Sequence, residues 1–329
     1  MKCISKILIV LAVIGIGGFA FFKANEELGL FKYENIMTEY EITYYNKDLY
    51  NGDFYAKDLC VATENVEIEG FTPDDKLYAS ALFDITNANV DFSMNIHERI
   101  YPASTTKILT ALVAMESCDL DDIVTISKAA AAASFAFDEQ VCGLKEGDQL
   151  TLEALINGLL IWSGNDAAVA IAEHVGGSIE DFASMMNQKA KDLHAVNTHF
   201  VTPNGLHDKD HYTTAYDLYL IFNECIQHEE FVEIISSKSY KAEITDKNGK
   251  VREKKWDSTS FYAREIVPDP DGGDVIGGKT GYTSEAGNCL ILLNEDENGR
   301  QFISIVMGAK DKPLLYEDMT AIINQIPNT

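Results

Sequence analysis

Basic residues are scarce in this sequence of 329 residues. It holds 26 Lys and Arg against 52 Asp and Glu, so its formal net charge at pH 7 is −26. A surface with this charge repels phosphate backbones, which argues against nucleic acid as a partner. Hydrophobic residues make up 46% of the chain, enough for a sizeable core, and 10% aromatic residues argue against disorder.

Cysteine pairs at metal-binding or redox spacing are also missing. The six cysteines form no C-x-x-C motif, and the five after the first apolar run are odd in number and irregularly spaced. This pattern indicates neither a disulfide framework nor a zinc site, and it favours small buried side chains. The first cysteine precedes the apolar run, so it is not placed to carry a lipid. The cysteines are Cys3, Cys60, Cys118, Cys142, Cys225 and Cys289.

Motifs of metallopeptidases and of α/β-hydrolases are absent as well. The sequence contains no H-E-x-x-H and no G-x-S-x-G. The run HDKDH, from His207 to His211, has side chains of the metal-binding type. Adjacent polar residues on a loop are nevertheless usually solvated, because a ligand set needs convergent geometry. We therefore expect no metal and no cofactor.

The N-terminal part of the chain has a distinct composition. Two lysines precede an uncharged stretch from Ile7 to Phe22, whose length lies between a signal-peptide core and a spanning helix. Lysines before such a stretch favour export of the chain that comes after it. We predict that residues 1–24 are an N-terminal membrane anchor or a cleaved signal peptide, and that the rest lies at the outer face of the membrane or in the cell wall. Residues 25–76, acidic and rich in tyrosine, are expected to be a stalk or appended segment.

Secondary-structure signals become clear from Leu77 onward. Strand-like segments on both sides of ITNAN predict a hairpin, and three further strands are predicted after residue 270. The region between them predicts several helices, one of them over VTISKAAAAASFAF. Strands at both ends and helices between predict an α+β domain over residues 77–329, with one sheet built from its first and last segments.

The segment YPASTTKILTALVAME places a serine, Ser104, three residues before a lysine, Lys107, at a predicted helix start. Residues three apart share a helix face. A serine hydroxyl is a weak nucleophile until a base takes its proton, and a lysine whose pKa is depressed by burial or by a nearby cation is such a base. The pair therefore predicts a nucleophile and its general base, although one S-x-x-K is expected by chance in a chain of this length.

Two further short motifs raise this prediction above chance. Ser163-Gly164-Asn165 lies at the joint between two predicted helices, and Lys279-Thr280-Gly281 lies on a predicted edge strand. An S-x-N motif alone carries no weight, since Ser93-Met94-Asn95 is a second copy. The ordered trio in these structural contexts is much rarer than any one part, and it is the motif set of penicillin-binding proteins and class A β-lactamases.

Longer stretches around these motifs resemble the low-molecular-mass penicillin-binding proteins that are serine-type D-alanyl-D-alanine carboxypeptidases of peptidase family S11. The matching stretches are YPASTTKILTALVAME, GLKEGDQLTLEALINGLLIWSGNDAAVAIAEHV, VTPNGLHDKDHYTTAYDL and GGKTGYTSEAGNCLI. The resemblance covers about residues 77–329. It implies the fold of serine β-lactamases and DD-peptidases, an antiparallel sheet flanked by helices together with an all-helical subdomain.

The resemblance also implies catalytic roles. Ser104 would attack the carbonyl of the penultimate D-alanine of a peptidoglycan stem peptide and become an acyl-enzyme. Lys107 would accept the serine proton, and Ser163 would relay a proton to the leaving D-alanine amine. Asn165 would hold Lys107 and the substrate amide. β-Lactam antibiotics would act as acylating inhibitors.

Substrate binding is implied for the second lysine motif and the residues after it. Lys279 and Thr280 would bind the terminal carboxylate, a cation–anion match. Gly281 and Tyr282 continue this strand, and the backbone N–H groups of Ser104 and Tyr282 would form the oxyanion hole.

Three functions remain open at this stage: the carboxypeptidase, a β-lactamase or esterase on the same scaffold, and a protein that binds β-lactams or wall peptides without turnover. Class A β-lactamases use a glutamate to activate the deacylating water. The matching region here, HAVNTHFVTPNGL, has no acidic residue. This favours the peptidase and predicts a long-lived β-lactam adduct.

Overall fold

A computed structural model describes residues 58–73 and 77–326, which belong to a compact unit that begins at Asp58. The predicted anchor and most of the predicted appended segment lie outside these residues. Within the described part of the chain, no helix is both long and apolar enough to cross a membrane.

The main sheet has five antiparallel strands in the order β2-β1-β9-β8-β7, which confirms the sheet predicted from both ends of the domain. Strand β1 pairs with β9 in a register that places Ala81 opposite Ile305. The chain therefore brings its first and last strands together at the centre of the sheet. The strands are β1 Ala79–Asp84, β2 Asn89–Met94, β7 Asp274–Thr283, β8 Gly287–Glu295 and β9 Gln301–Ala309.

Strands β8 and β9 are nearly continuous runs of buried residues because both faces of the sheet are covered. One face packs on the C-terminal helix, with Leu292 and Val306 in the same cluster as Met319. The opposite face, which includes Ile291 and Ile305, packs into the larger core formed by the other helices.

The described residues contain seven α-helices, which confirms that the region between the predicted strands is mainly helical. Thr151, Ser178 and Thr214 cap three of them, each with its side-chain oxygen accepting the backbone N–H of the residue three positions later. The helices are α1 Lys107–Ser117, α2 Leu152–Asn157, α3 Asn165–Gly176, α4 Ile179–Asp192, α5 Ala215–Cys225, α6 Glu229–Ser236 and α7 Lys312–Ile323.

The helix predicted up to Phe137 is wrong. Its first residues form strand β3, and its alanine run contains only the short 3-10 turn Ala132–Ser134. The Ala132 N–H donates to the Leu144 carbonyl, 2.9 Å away, so the backbone bonds across to another loop. Tertiary pairing has overridden the helix propensity of alanine.

A second antiparallel sheet, in the order β3-β4-β5-β6, was not predicted from the sequence. It packs beside the helices, and Trp256 of its last strand is fully buried. The strands are β3 Ile123–Thr125, β4 Gln149–Thr151, β5 Ser239–Thr245 and β6 Val251–Asp257.

Residues 58–73 pack on the domain, although the sequence assigned them to the appended segment. The backbone of Cys60 bonds to two tyrosines of α5: its N–H donates to Tyr219 Oη and its carbonyl accepts from Tyr216 Oη, both at 2.9 Å. Val66 pairs with Ser93 of β2. The five described cysteines are all free, and four of them are buried, as expected for small core side chains.

Candidate active site

A cleft of about 570 Å³ lies where the edge strand β7 faces the helical part of the domain. Its lining includes Ser104, Ser163, Asn165, Thr280 and Tyr282. Three segments far apart in the chain therefore supply one cavity, as the motifs predicted.

Ser104 lies in the 3-10 turn Ala103–Thr106, and the α-helix begins only at Lys107. Pro102 precedes the turn, and its carbonyl accepts the Thr105 hydroxyl at 2.7 Å. Ala103 has a φ of 49°, a left-handed conformation that costs an L-residue about 1–2 kcal/mol. The bend that presents the serine is thus held against local strain by its surroundings.

Lys107 is fully buried, and its amine contacts three oxygens. Nζ lies 2.8 Å from Asn165 Oδ1, 2.6 Å from the Asn204 carbonyl and 2.9 Å from Ser104 Oγ. The amide and the carbonyl oxygens are acceptors only. A neutral amine has two N–H groups, which satisfy these two acceptors, and one lone pair, which remains for the Ser104 O–H. An ammonium would instead donate to all three oxygens, so the contacts fit both protonation states, and in the neutral state Nζ is free to accept the Ser104 O–H.

Electrostatics favour the neutral state of Lys107. Burial lowers the pKa of Lys107 well below its usual value, and the positive charge of Lys279 lowers it further. Both causes, burial and a nearby cation, are those that the sequence suggested for a lysine acting as a base.

Ser163 follows a π-helical turn, Gly158–Trp162, and has a φ of 68°. π-Turns and left-handed non-glycine residues are both concentrated at functional sites. Its hydroxyl lies 2.9 Å from Lys279 Nζ, which also donates to the Thr280 carbonyl at 2.9 Å. Lys279 is 1% exposed, and burial lowers its pKa to about 7.

The edge strand β7 passes close to the serine turn. A Cβ added to Gly281 would lie 3.0 Å from the backbone nitrogen of Ser104, so glycine allows this close approach. Thr280 Oγ1 lies 2.7 Å from Thr259 Oγ1, a partner that sequence reasoning missed. Tyr282 is 62% exposed at the cleft. The structure thus places all eight predicted site residues together, while the roles assigned to them stay predictions.

Sequence reasoning missed the loop that supplies the Asn204 carbonyl to Lys107. Gly205, the next residue, has a φ of +81°, and a Cβ there would lie 1.9 Å from the Ala103 carbonyl oxygen. The loop can therefore touch the serine turn only with glycine at this position.

We expect Gly205→Ala to destabilise the fold by about 2–4 kcal/mol, from left-handed strain plus a backbone clash. It should also slow acylation of Ser104, because relief of the clash moves the Asn204 carbonyl away from Lys107. Thermal unfolding and the rate of labelling by fluorescent penicillin measure the two effects. Gly249→Ala is the matched control, since Gly249 has the same φ of +81° but nothing near its Cβ. Equal effects of the two substitutions would contradict the role of this contact.

Asp166 is a second residue that was missed. Its carboxylate is fully buried and accepts four backbone N–H groups, those of Cys142, Gly143, Leu144 and Ala167, at 2.7–3.1 Å. It thereby ties the 142–144 loop to the start of α3, immediately after Asn165. The Asn165 N–H donates to the Gln140 carbonyl of the same loop at 2.8 Å.

His211 corrects the expectation that the HDKDH run is a solvated loop. It is 2% exposed, and burial lowers its pKa to about 4. Nδ1 accepts the Val201 N–H at 3.0 Å, so Nε2 carries the proton and donates to Thr106 Oγ1, 2.8 Å away. His211 joins the Asn204 loop to the serine turn.

A serine and a lysine in one buried hydrogen-bonded pair, with a second lysine and serine opposite, are the arrangement that characterises active-site-serine proteins of the penicillin-binding type. Comparison with known proteins specifies the family. The sequence model described as D-alanyl-D-alanine carboxypeptidase, Peptidase_S11, matches residues 74–311. The chain belongs to this family.

Relatives and solved structures agree with this assignment. D-alanyl-D-alanine carboxypeptidase DacF of Bacillus subtilis is 35% identical over 237 residues, 70% of this chain and 57% of the relative. DacD of Escherichia coli is 35% identical over 259 residues, 75% of this chain and 62% of the relative. The chain thus spans about three fifths of the length of these relatives. The structure of the Streptomyces K15 DD-transpeptidase has a TM-score of 0.71 and 28% identity, and the match covers 77% of this chain and 98% of that one.

Proposed function

We propose that this protein is a serine-type D-Ala-D-Ala carboxypeptidase that removes the terminal D-alanine of peptidoglycan stem peptides. The observation that carries the proposal is the 2.9 Å contact between Lys107 Nζ and Ser104 Oγ at a fully buried position, where burial and Lys279 lower the pKa of Lys107. Family membership supplies the substrate class.

Acylation is a direct consequence of this geometry. Ser104 Oγ attacks the carbonyl carbon of the penultimate D-alanine while its proton moves to Lys107 Nζ. The carbonyl π electrons move onto oxygen, where the backbone N–H groups of Ser104 and Tyr282 would stabilise the charge. One such donor is typically worth about 3–4 kcal/mol of transition-state stabilisation.

The leaving group departs when the carbon–nitrogen bond breaks and its electron pair takes a proton. Ser163 would relay that proton, a role supported by its position in the cleft lining and by its contact with Lys279 Nζ. Water then attacks the Ser104 ester, the serine oxygen regains a proton, and the shortened peptide is released.

Carboxylate binding would involve Lys279 and Thr280. The pKa of Lys279 is about 7 in the free protein, so near neutral pH part of the population is uncharged. A substrate carboxylate favours the ammonium form, and this positive charge in turn favours neutral Lys107. Substrate binding would therefore set the protonation state that acylation needs.

We expect Lys279→Ala to move the acid limb of the acylation pH profile to higher pH. Without the neighbouring positive charge the pKa of Lys107 rises, so more of it is protonated at a given pH. The measurement is the rate of Ser104 labelling by penicillin against pH, read as the position of the limb and not its height. Lys279→Arg keeps the charge and should leave the limb unmoved. A limb at the same pH in both variants would contradict the coupling.

Release of D-alanine from diacetyl-lysyl-D-Ala-D-Ala tests the proposed activity. We expect release by the full chain and none by Ser104→Ala. Labelled penicillin should give a stable adduct on Ser104. Rapid penicillin turnover without D-alanine release would indicate a β-lactamase, and labelling without either turnover would indicate a binding protein.

We further propose that residues 1–24 hold the enzyme at the outer face of the membrane. The lysine-flanked apolar stretch from Ile7 to Phe22 supports this placement. The full chain should sediment with membranes after expression in bacteria, and a chain without residues 1–24 should not. Sedimentation of neither chain would argue for a cleaved signal peptide.

A further inference from the structure

Cys118, Asp122 and His174 form a cluster away from the cleft. Their thiol, carboxylate and imidazole ligand atoms all lie within 4.8 Å of one another, and His174 Nε2 lies 3.4 Å from Asp122 Oδ2. Sulfur, nitrogen and oxygen donors of this kind are the set that zinc takes in proteins. We infer that these three residues bind a zinc ion, with solvent as the fourth ligand.

The fold brings the three donors together from separate segments. Cys118 is the C-cap residue just after α1, and His174 lies in the last turn of α3. Asp122 lies on the loop between α1 and β3, where its carbonyl accepts the Leu152 N–H at 2.8 Å. The loop backbone is therefore fixed by α2, and the carboxylate is held against the two helix ends.

The charges around the cluster also favour a cation. Among the described residues, Asp122 forms no ion pair with a lysine or an arginine. The ion-pair partner that it does have is His174. Cys118 and Asp122 are partly accessible and His174 is exposed, so an ion can reach them from solvent. Binding would replace the thiol proton with a metal–sulfur bond and release the proton to water.

A second cluster in the described chain, Glu116, Glu224 and His228, shows the contrast. Lys189 Nζ lies 2.6 Å from Glu116 Oε1 and 3.9 Å from Glu224 Oε1, so an ammonium already compensates this site. It also lacks sulfur. The second cluster is therefore an ion-pair network. A substitution in it serves as the control for substitutions in the first cluster.

The position of the zinc site defines its role. Helices α1 and α3 begin with Lys107 and Asn165, whose side chains are hydrogen-bonded in the cleft, and they end at Cys118 and just after His174. An 11-residue helix is about 16 Å long, so the ion would be too far from Ser104 to act on substrate. It would join the far ends of the two helices and stabilise their packing.

Cobalt titration of the full chain in a Cys3→Ser background tests the proposal. We expect one equivalent of Co²⁺ to give a thiolate-to-metal charge-transfer band that Zn²⁺ abolishes. Excess Zn²⁺ at a hundred times its Kd should raise the melting temperature by about 5 °C or more. Cys118→Ser should lose the band, and His174→Asn and Asp122→Asn should weaken binding at least tenfold. Glu224→Gln should bind like the parent.

Several outcomes would overturn the site. These are no band with the parent protein, a band that persists in Cys118→Ser, or equal weakening by Glu224→Gln. Circular dichroism of each variant checks that the fold is retained. Because metal binding and melting are read without substrate, the result does not depend on the proposed peptidase activity.

Discussion

Replacing Lys107 with glutamine is expected to slow acylation of Ser104 by about 10²–10⁴-fold, the usual contribution of a general base. The glutamine amide can still donate to the Asn165 and Asn204 oxygens, but it has no basic lone pair for the serine proton. The second-order rate of labelling by fluorescent penicillin measures the effect.

The control for this prediction is Lys128→Gln, which changes an exposed lysine and should label like the parent. Both variants should melt within a few degrees of the parent, because Lys107→Gln places an uncharged polar amide at this buried position. A labelling rate for Lys107→Gln within threefold of the parent would show that another group takes the proton.

Asp166→Ala is expected to destabilise the domain by about 3 kcal/mol or more. It removes the acceptor of four backbone N–H groups at a fully buried position, and each unsatisfied donor costs about 1–3 kcal/mol where water does not replace the lost partner. The loop that holds Asn165 should loosen, so the folded fraction should also acylate more slowly. Chemical denaturation gives the first quantity, and penicillin labelling below the unfolding transition gives the second.

Asp192→Ala provides the comparison, since Asp192 is exposed at the end of α4 and accepts from the exposed Gln188 side chain. Its stability should stay within about 0.5 kcal/mol of the parent. If Asp166→Ala unfolded at the same denaturant concentration as Asp192→Ala, the carboxylate would not be the tie between loop and helix.

The candidate site residues were predictable because the chemistry proposed for them depends on side-chain types at short spacing. Ser104 and Lys107 are one helical turn apart, and the two other motifs fall at recognisable element boundaries. The central sheet was predictable for a different reason: β8 and β9 are buried on both faces, so their sequences are continuous apolar runs.

The remaining parts of the site depend on contacts that leave little trace in the sequence. The Asn204 group that binds Lys107 is a backbone carbonyl, which every residue type has. Asp166 acts through backbone N–H groups of a loop 22–24 residues earlier in the chain. The signals that were available are the N-G pair at Asn204 and Gly205, a turn dipeptide, and an aspartate in the first turn of a helix.

The second sheet was missed because β6 is mostly exposed and polar, with Trp256 as its one buried residue. The alanine run before Phe137 caused the opposite error, because a helix was predicted where the structure has no α-helix. Its propensity favours a helix, but Ala130 and Ala131 are buried against other segments and their neighbours bond to the 144 loop. Both errors arise where long-range pairing decides local structure.

The pairing of β1 with β9 has a consequence for how the protein is made. A ribosome delivers β1 long before β9, so β1 lacks its central neighbour until β9 has emerged. Such distant contacts are slow to form. A nascent chain that stops before β9 has an incomplete sheet, so strand β7 with Lys279 cannot take its place beside the Ser104 turn until β9 has paired with β1 and β8.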